Sequence, residues 1–295
     1  MKKEKPIILV TGSKGQVGQE LQLLSPEFPA FDFVFVDIDE LDITNLAAVK
    51  EFFGQTQFLY CINCAAYTAV DKAESEPNIA WKINAQGVKH LAEACAKQNA
   101  SLLQISTDYV YHNAQNWPYK ETDITNPQGI YAKTKLEGDK LALETNPGRT
   151  AIIRTSWVYS SFGHNFVKTM LKLGPERGEL KVVYDQIGSP TYARDLAGAM
   201  LTILQKIETG QVAKEKLNGI FHYSNEGVTS WFDFAVAIFE MNQMDVKVAP
   251  IETKDFPSPA KRPHYSLLNK AKIKTTFGLE IPHWQQALKA CLARL

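Results

Sequence analysis

Tyr131 and Lys135, in the run Tyr131-Ala-Lys-Thr-Lys135, have the types and spacing of a proton-transfer pair. On a helix, residues four apart share a face, so phenol and ammonium stand together. A free phenol has a pKa of about 10. An adjacent ammonium favours the phenolate and lowers that value. Tyr131 is thereby expected to give or take a proton near neutral pH. The pair is weak by itself, because Tyr-x-x-x-Lys arises by chance in many helices. Its weight comes from Thr11-Gly-Ser-Lys-Gly-Gln-Val-Gly18 upstream.

In that run Gly12-x-x-Gly15-x-x-Gly18 follows an apolar stretch at 7–10 and opens a helix. Glycines allow a tight turn and a close backbone approach to a pyrophosphate, and the helix N-terminus adds unpaired N–H groups and a favourable dipole. The first gap is one residue longer than in Gly-x-Gly-x-x-Gly. No Gly-Lys-Ser/Thr follows, which excludes a Walker loop. Gly12, Lys14, Gly15, Gln16, Val17 and Gly18 are the candidate dinucleotide contacts; a plain turn between strand and helix is the alternative. Asp37 ends the second strand, close to the separation of roughly 20 residues at which a carboxylate meets the cofactor ribose. It suits the 2′-hydroxyl of NADH better than the 2′-phosphate of NADPH, unless it is only a solvated turn residue. Asp39 and Glu40 add acidity, and Lys14 is the one nearby cation. Asn63, Ala65 and Ala66 end the third strand with small side chains, as close approach of a cofactor requires.

Ligands of an open parallel sheet bind beyond the carboxyl ends of its strands, and the fourth strand ends in Ser106-Thr-Asp108. Thr107 is thus placed beside the nicotinamide position, where its hydroxyl can hold a substrate carbonyl against Tyr131; capping a turn is its alternative role. Asn84-Ala-Gln-Gly87 falls within a helix, where glycine costs about 1 kcal/mol relative to alanine. A close helix–sheet contact or a hydrogen bond from Asn84 would justify that cost.

These residues need elements to position them. Apolar runs at 7–10, 33–36, 58–62, 101–105 and 150–153 read as strands of a buried sheet. Helices are expected at 17–24, from a Thr44 or Asn45 cap to about 53, from Pro77 through 79–97, and at 131–144. The alternation means an α/β fold, a Rossmann-type doubly wound parallel sheet. Beyond about 155 the pattern loosens. Glycine and proline crowd 174–190, 191–208 reads as a helix, 219–223 as a strand, and Ser230 caps a helix at 231–240. The four prolines of 250–264 suggest a surface loop, and Pro282 opens a last helix to about 293. The expected division is a dinucleotide-binding part at 1–155, to which 191–222 returns, and a smaller mixed substrate-binding part over most of 156–295, with the substrate in the cleft between.

The 32 basic residues balance 32 acidic ones, so no net positive field is available to hold nucleic acid or an anionic membrane. A hydrophobic share of 45% with 22% charged residues matches an ordinary soluble globular protein. No apolar run approaches the roughly 18 residues of a membrane span, and the apolar stretch after the charged N-terminus is too short for a signal peptide. The cytoplasm is the expected location. Cys61 and Cys64 have the spacing of half a zinc site or a redox pair, but they sit in a strand end, and Cys95 and Cys291 are isolated. Buried packing is their expected role. His164 and His264 pair with no nucleophile or metal and read as surface or structural residues.

Together, the three-glycine loop, Ser106-Thr107 and Tyr131-x-x-x-Lys135 resemble the extended short-chain dehydrogenase/reductase superfamily. Finer matches to its nucleotide-sugar reductases run along nearly the whole chain: Ala65-Ala-Tyr-Thr-Ala-Val-Asp-Lys-Ala-Glu74, Ser106-Thr-Asp-Tyr-Val110, Arg154-Thr-Ser-Trp-Val-Tyr159, Asp185-Gln-Ile-Gly-Ser-Pro-Thr191 and Arg262-Pro263. The resemblance implies hydride transfer to the C4 ketone of a nucleotide-linked 6-deoxyhexulose. Tyr131 would protonate the developing alkoxide, Lys135 hold the cofactor ribose and keep Tyr131 acidic, and Thr107 orient the carbonyl. Asp42 and Ile43 would lie near the adenine, and Trp157, Asn165 and Gln186 against the sugar nucleotide with Asp108 and Tyr131; core packing is the alternative for Trp157. The resemblance implies NADPH, whereas the acidic end of the second strand favours NADH, so both are carried as expectations. Some members are dimers bridged by a metal through carboxylates. Glu20 matches one such position, but the tail Ala290-Cys-Leu-Ala-Arg-Leu295 has no carboxylate side chain, so a monomer or homodimer without metal is expected. Two other readings stay open. One is a nucleotide-sugar epimerase or dehydratase of the same fold, although Tyr109 and not a carboxylate follows Asp108. The other is a non-catalytic regulatory subunit similar to the eukaryotic methionine adenosyltransferase partner.

Overall fold

The five apolar runs of the first half become β1 (Ile7–Thr11), β2 (Asp32–Val36), β3 (Tyr60–Asn63), β4 (Ser101–Thr107) and β5 (Thr150–Thr155). A computed structural model describes residues 5–295; the reading of the charged N-terminus rests partly on residues 1–4, which lie outside the described residues. A sixth strand, Gly219–His222, pairs with β5, and the order from edge to edge is Gly219–His222, β5, β4, β3, β1, β2, every pairing parallel.

Side chains of a strand alternate between faces, and here both faces are apolar. Ile8, Val10, Ile62, Leu103 and Ile153 point into one core with α1 (Gln16–Leu24) and α8 (Ala193–Glu208). Leu9, Cys61, Leu102 and Ile152 point into the other with α2 (Leu46–Gln55) and α5 (Val88–Gln98). Asn45 caps α2, its side chain accepting from the backbone N–H of Ala47 and Ala48. The chain leaves β1 for β2 on one side and returns to β3 on the other. The connections that leave the paired carboxyl ends of β1 and β3 therefore run in opposite directions, which opens the crevice where this fold takes its ligands.

The helix expected over 79–97 is interrupted. α3 (Val70–Ala73) and α4 (Pro77–Trp81) precede a π-helical turn at Lys82–Gly87, and only then does α5 begin. The extra residue in the turn brings the Asn84 backbone against α6 (Ile130–Thr145): a Cβ on Gly138 would sit 2.0 Å from the Asn84 carbonyl oxygen. Asn84 also accepts from the Tyr67 N–H at 2.9 Å and donates to Tyr67 O and to Thr134 Oγ1. Gly87 is needed for a different contact from the helix–sheet approach expected, because a Cβ there would lie 2.7 Å from Ile43 in the loop after β2.

The C-terminal part departs most from expectation. Gly174 and Pro175 do not break the chain; they lie in α7 (Phe166–Arg177), which ends at Gly178 in a left-handed conformation. Gly174 is small because α9 (Trp231–Met241) packs there, a Cβ falling 2.5 Å from the Phe239 ring. Pro250 lies not in a loop but in the strand Lys247–Ile251, paired in parallel with Glu179–Val183. That sheet has two strands, so each is an edge, where a missing N–H is tolerated. Ser230 caps α9 in a reciprocal box with Asp233. The last helix, α11 (Trp284–Leu292), is capped by His283 and starts two residues after Pro282. α7, α9 and α11 surround a third core that includes Phe234, Ile238 and Leu288. α10 (Ala271–Phe277) turns away from it and sends Ile273 and Phe277 into the core beneath the large sheet. Among the described residues no helix is long and apolar enough to cross a membrane.

Candidate active site

Gly12 has φ +65°, and a Cβ there would lie 2.5 Å from the Ala65 nitrogen, so β1 and β3 meet backbone to backbone at the mouth of the crevice. A Cβ on Gly18 would be 2.4 Å from Gly12 O. No side chain caps α1, which leaves its first-turn N–H groups for an anion. Beside this end lies a cavity of about 390 Å³ lined by Gly12, Lys14, Gly15, Asp37, Asp42, Ile43, Ala65 and Ala66 among others. Glycine cradle, uncapped helix and slot fit a dinucleotide. The remaining candidates stand behind the wall. Val17 is buried in the core, and Gly18 packs on the loop. Asn63, fully buried, accepts from the Thr11 hydroxyl and donates to Gln104, tying β1, β3 and β4 together. Gln16 turns away from the cavity and accepts from Asn165 at 3.0 Å.

The end of the slot expected to take the ribose is acidic but already engaged. Asp37 accepts from the Lys14 backbone N–H at 2.8 Å and from the Ile38 N–H at 2.9 Å. The Lys14 ammonium is held by Asp39, and that hydrogen bond raises its pKa. Asp42 receives the N–H and hydroxyl of Thr44, a turn that presents Ile43 to the cavity.

At the end of β4, Thr107 Oγ1 accepts from the Tyr109 N–H at 3.1 Å and lies 3.2 Å from Asp108 Oδ1. It therefore does cap the following turn, and it lies close enough to act on the Tyr131 phenol. The Tyr131 side chain is partly exposed and meets Tyr109 edge-on at 5.8 Å. Here the expected tuning fails. Burial pushes the Tyr131 phenol up to about 12, with Thr107 opposing, and Lys135 is not among the groups acting on it. Lys135 is buried and donates from Nζ to the Ile105 carbonyl at 2.6 Å. Its own pKa is drawn down to about 8 by burial, against the pull of Asp139 and then Cys64. Desolvation of both groups outweighs their attraction. At neutral pH the phenol is protonated, the form a proton donor needs. Asp108, 2% exposed, is pushed up to about 7 by burial, with Ser266 and Thr107 opposing.

The residues expected on the sugar side do not all face one cavity. Gln186 donates to Thr253 Oγ1 at 3.1 Å and lines a cavity of about 330 Å³ with His112, Lys261, Arg262 and His264. His264 is thus a cavity residue, paired at 3.6 Å with Asp185. Trp157 has φ +49° and stacks on Trp231 at 3.7 Å, and Gly188 is small because a Cβ there would meet the Trp157 ring at 2.9 Å. Asn165 is committed to structure: it accepts from the Lys168 N–H to cap α7 and donates to Gln16 and Ser160. Glu20, also fully buried, accepts from the Ser160 hydroxyl at 2.6 Å and lies 3.7 Å from Arg194. Among the described residues no group of three or more His, Cys, Asp or Glu could hold a metal.

Two positioning contacts escape the sequence reading. Glu74 accepts the Ile130 N–H at 2.8 Å, capping the helix that carries Tyr131 from 56 positions away. Arg262 grips Asp71 through both guanidinium nitrogens, at 3.1 and 2.7 Å, beside Tyr109. Both acids lie in Ala65–Glu74 as an unassigned part of that motif, the one signal that could have found them.

A parallel doubly wound sheet with a glycine cradle, and a Tyr–Lys helix beside a threonine at the strand ends, define a dinucleotide-dependent oxidoreductase of the extended short-chain dehydrogenase/reductase type. A family model described as RmlD substrate binding domain matches residues 6–295, and the chain belongs to that family. It is 42% identical over 288 residues to a dTDP-4-dehydrorhamnose reductase of Aggregatibacter actinomycetemcomitans, covering 96% of this chain and 97% of that protein. Its fold is similar to the crystal structure of a dTDP-4-dehydrorhamnose reductase from Clostridium acetobutylicum, with TM-score 0.90, 43% identity and coverage of 98% and 99%. A Bacillus anthracis dTDP-4-dehydrorhamnose reductase, solved in complex with NADP, matches with TM-score 0.91, 38% identity and coverage of 99% and 100%.

Proposed function

We propose that this chain reduces the C4 ketone of dTDP-4-dehydro-6-deoxy-L-mannose to dTDP-L-rhamnose in nucleotide-sugar biosynthesis, with NADPH as donor and NADH also accepted, in the cytoplasm. What carries the reading is the meeting of Thr107, Tyr131 and Lys135 at the end of β4 beside the glycine cradle, in a chain of this family.

The cofactor, bound, supplies the hydride. Gly12, Gly15 and the α1 terminus would receive its pyrophosphate, and Asp42, Ile43, Ala65 and Ala66, which line the same cavity, would take its adenine end. Thr107 orients the ketone. Tyr131, protonated at neutral pH, gives its proton to the oxygen that gains charge, a transfer worth about 10²–10⁴-fold in rate. Lys135 would hold the cofactor ribose and offer positive charge to the phenolate left behind. Asp108, Trp157 and Gln186 take the sugar nucleotide, together with the cations Lys261 and Arg262 on the Gln186 cavity. Asn165 acts through its cap on α7. The acidic ribose end is the feature that keeps NADH in use, and the chain works as a monomer or homodimer.

The test is to mix the purified protein with NADPH or NADH and dTDP-4-dehydrorhamnose and follow the reduced-nicotinamide absorbance. Stoichiometric oxidation with each turnover is expected. Retention of the cofactor with no net oxidation would point to an epimerase, and no turnover alongside co-purification with a larger catalytic chain would point to a regulatory subunit.

A further inference from the structure

Trp157 follows the strand end that neighbours Thr107. Thr107 and Thr155 are partners in register across β4 and β5, and Trp157 comes two residues later, past the carboxyl end of the sheet. Its φ of +49° puts it in the left-handed region, an outlier for a bulky side chain. Such a conformation persists only when its surroundings over-determine it. The backbone is fixed first. Ser156 Oγ donates to the Ser189 carbonyl at 2.7 Å, the Trp157 carbonyl accepts the Thr191 N–H at 3.2 Å, and Val158–Tyr159 pairs in parallel with Thr191–Tyr192. The ring is fixed separately. Trp231 stacks on it, centroids 3.7 Å apart and planes 11° from parallel, and Phe166 braces Trp231 from 4.7 Å. Gly188 leaves room for it, because a Cβ there would fall 2.9 Å from the Trp157 ring. The Gly188 backbone lies outside the left-handed region, so this glycine answers to the ring and not to its own φ. Antiparallel pairing of Ile187–Gly188 with Thr229–Ser230 sets Gly188 against Thr229, two residues before Trp231, so both ring contacts arrive together.

Core packing explains less of this. Phe234, one turn along α9, is 1% exposed, whereas Trp157 and Trp231 both stay partly open to solvent. An indole pair left partly wet beyond the carboxyl ends of the strands is placed for a ligand. We propose that Trp231 and Gly188 form the seat that holds the Trp157 ring in its left-handed pose, ready for the sugar nucleotide. Both are positioning residues, acting on the substrate through Trp157, and the proposal rests on the reading above in which Trp157 takes the sugar nucleotide. Neither lines the cofactor slot. An ordered Trp157 favours bound substrate and transition state alike, so its disorder is felt in KM and not in kcat.

The test first reads Trp157 in the ligand-free protein, by ¹⁹F NMR with 5-fluorotryptophan at its five tryptophans and the Trp157 line assigned through Trp157→Phe. One narrow line is expected in the wild type. Trp231→Leu should broaden or split it, and Trp231→Phe, which keeps a ring to stack on, should restore it. Steady-state rates then read the consequence. Trp231→Leu should raise KM for the sugar nucleotide by about three- to tenfold, the worth of one aromatic pair. Its kcat and its KM for NADPH should not change, and Trp231→Phe should stay near wild type. Ile238→Ala, a cavity in the same helix and core, is the control for lost stability: it should lower Tm and leave the sugar-nucleotide KM as it was. An unaltered Trp157 line in Trp231→Leu overturns the proposal, as does an unchanged KM, or a fall in kcat as large as that in kcat/KM. If that variant does not fold, Gly188→Ala presses on the ring at its other contact; a disturbed line with a raised KM supports the proposal, and an undisturbed line or an unchanged KM overturns it. A wild type that turns over no sugar nucleotide sinks the parent reading, and the ¹⁹F comparison then decides the seat alone.

Discussion

With Tyr131 proposed as the proton donor, Tyr131→Phe is expected to lower kcat by about 10²–10⁴-fold while NADPH still binds, read by turnover and by cofactor fluorescence. That it shares a helix with Lys135 at a spacing of four was visible from the sequence. The sign of the pKa shift was not, because the desolvation of each group is set by what packs around it. Lys14 offers a second test. Its ammonium is tied to Asp39, so Asp39→Asn should free it for a 2′-phosphate and improve KM for NADPH relative to NADH by several-fold, measured with both cofactors. Asp108 carries a pH signature. Its folded pKa, about 7, stands above the unfolded value of about 3.9. The stability it contributes is therefore present below that lower value and lost as pH rises through about 7. Asp108→Asn should raise Tm relative to wild type more at pH 8 than at pH 5, by several degrees in a thermal melt, while lowering turnover.

At the scale of elements, α6 carries Tyr131 and Lys135, and its placement depends on neighbours far away in sequence. Glu74 caps its first turn, and Gly138 lets the π-helical turn at Asn84 approach. Gly138→Ala would drive a methyl into the Asn84 carbonyl. Overpacking of this kind costs about 1–3 kcal/mol, so Tm should drop and the displaced helix should lose kcat, seen by calorimetry and steady-state rates. Strands and most helices of the first half were legible because burial on both faces leaves long apolar runs and each helix has a cap or a proline at its start. The π-helical turn left no trace in the periodicity. α7 was hidden because Gly174 and Pro175 look like breakers, whereas the glycine answers to the Phe239 ring.

Over the whole molecule, α1 and the C-terminal part are joined where Asn165 donates to Gln16 while capping α7. Losing an N-cap costs about 1 kcal/mol. Asn165→Ala should raise KM for both cofactor and sugar nucleotide by a few-fold with little change in kcat, because it loosens two ligand-bearing elements without touching reacting atoms. The Arg262–Asp71 grip, spanning 191 positions, belongs to the same scale, and neither residue announced the other.

The alternation of strands and helices in the first half, the glycine cradle and the candidacy of Thr107, Tyr131 and Lys135 came from the amino-acid sequence alone, since each rests on local patterns of apolar burial, chain flexibility and fixed spacing. Only the tertiary structure decided which candidates face the crevice, which are spent as caps and struts, and what state of protonation the buried groups hold. Those outcomes depend on distances between segments remote in the chain and on how much water each polar atom loses, and neither quantity is carried by any short stretch of residues.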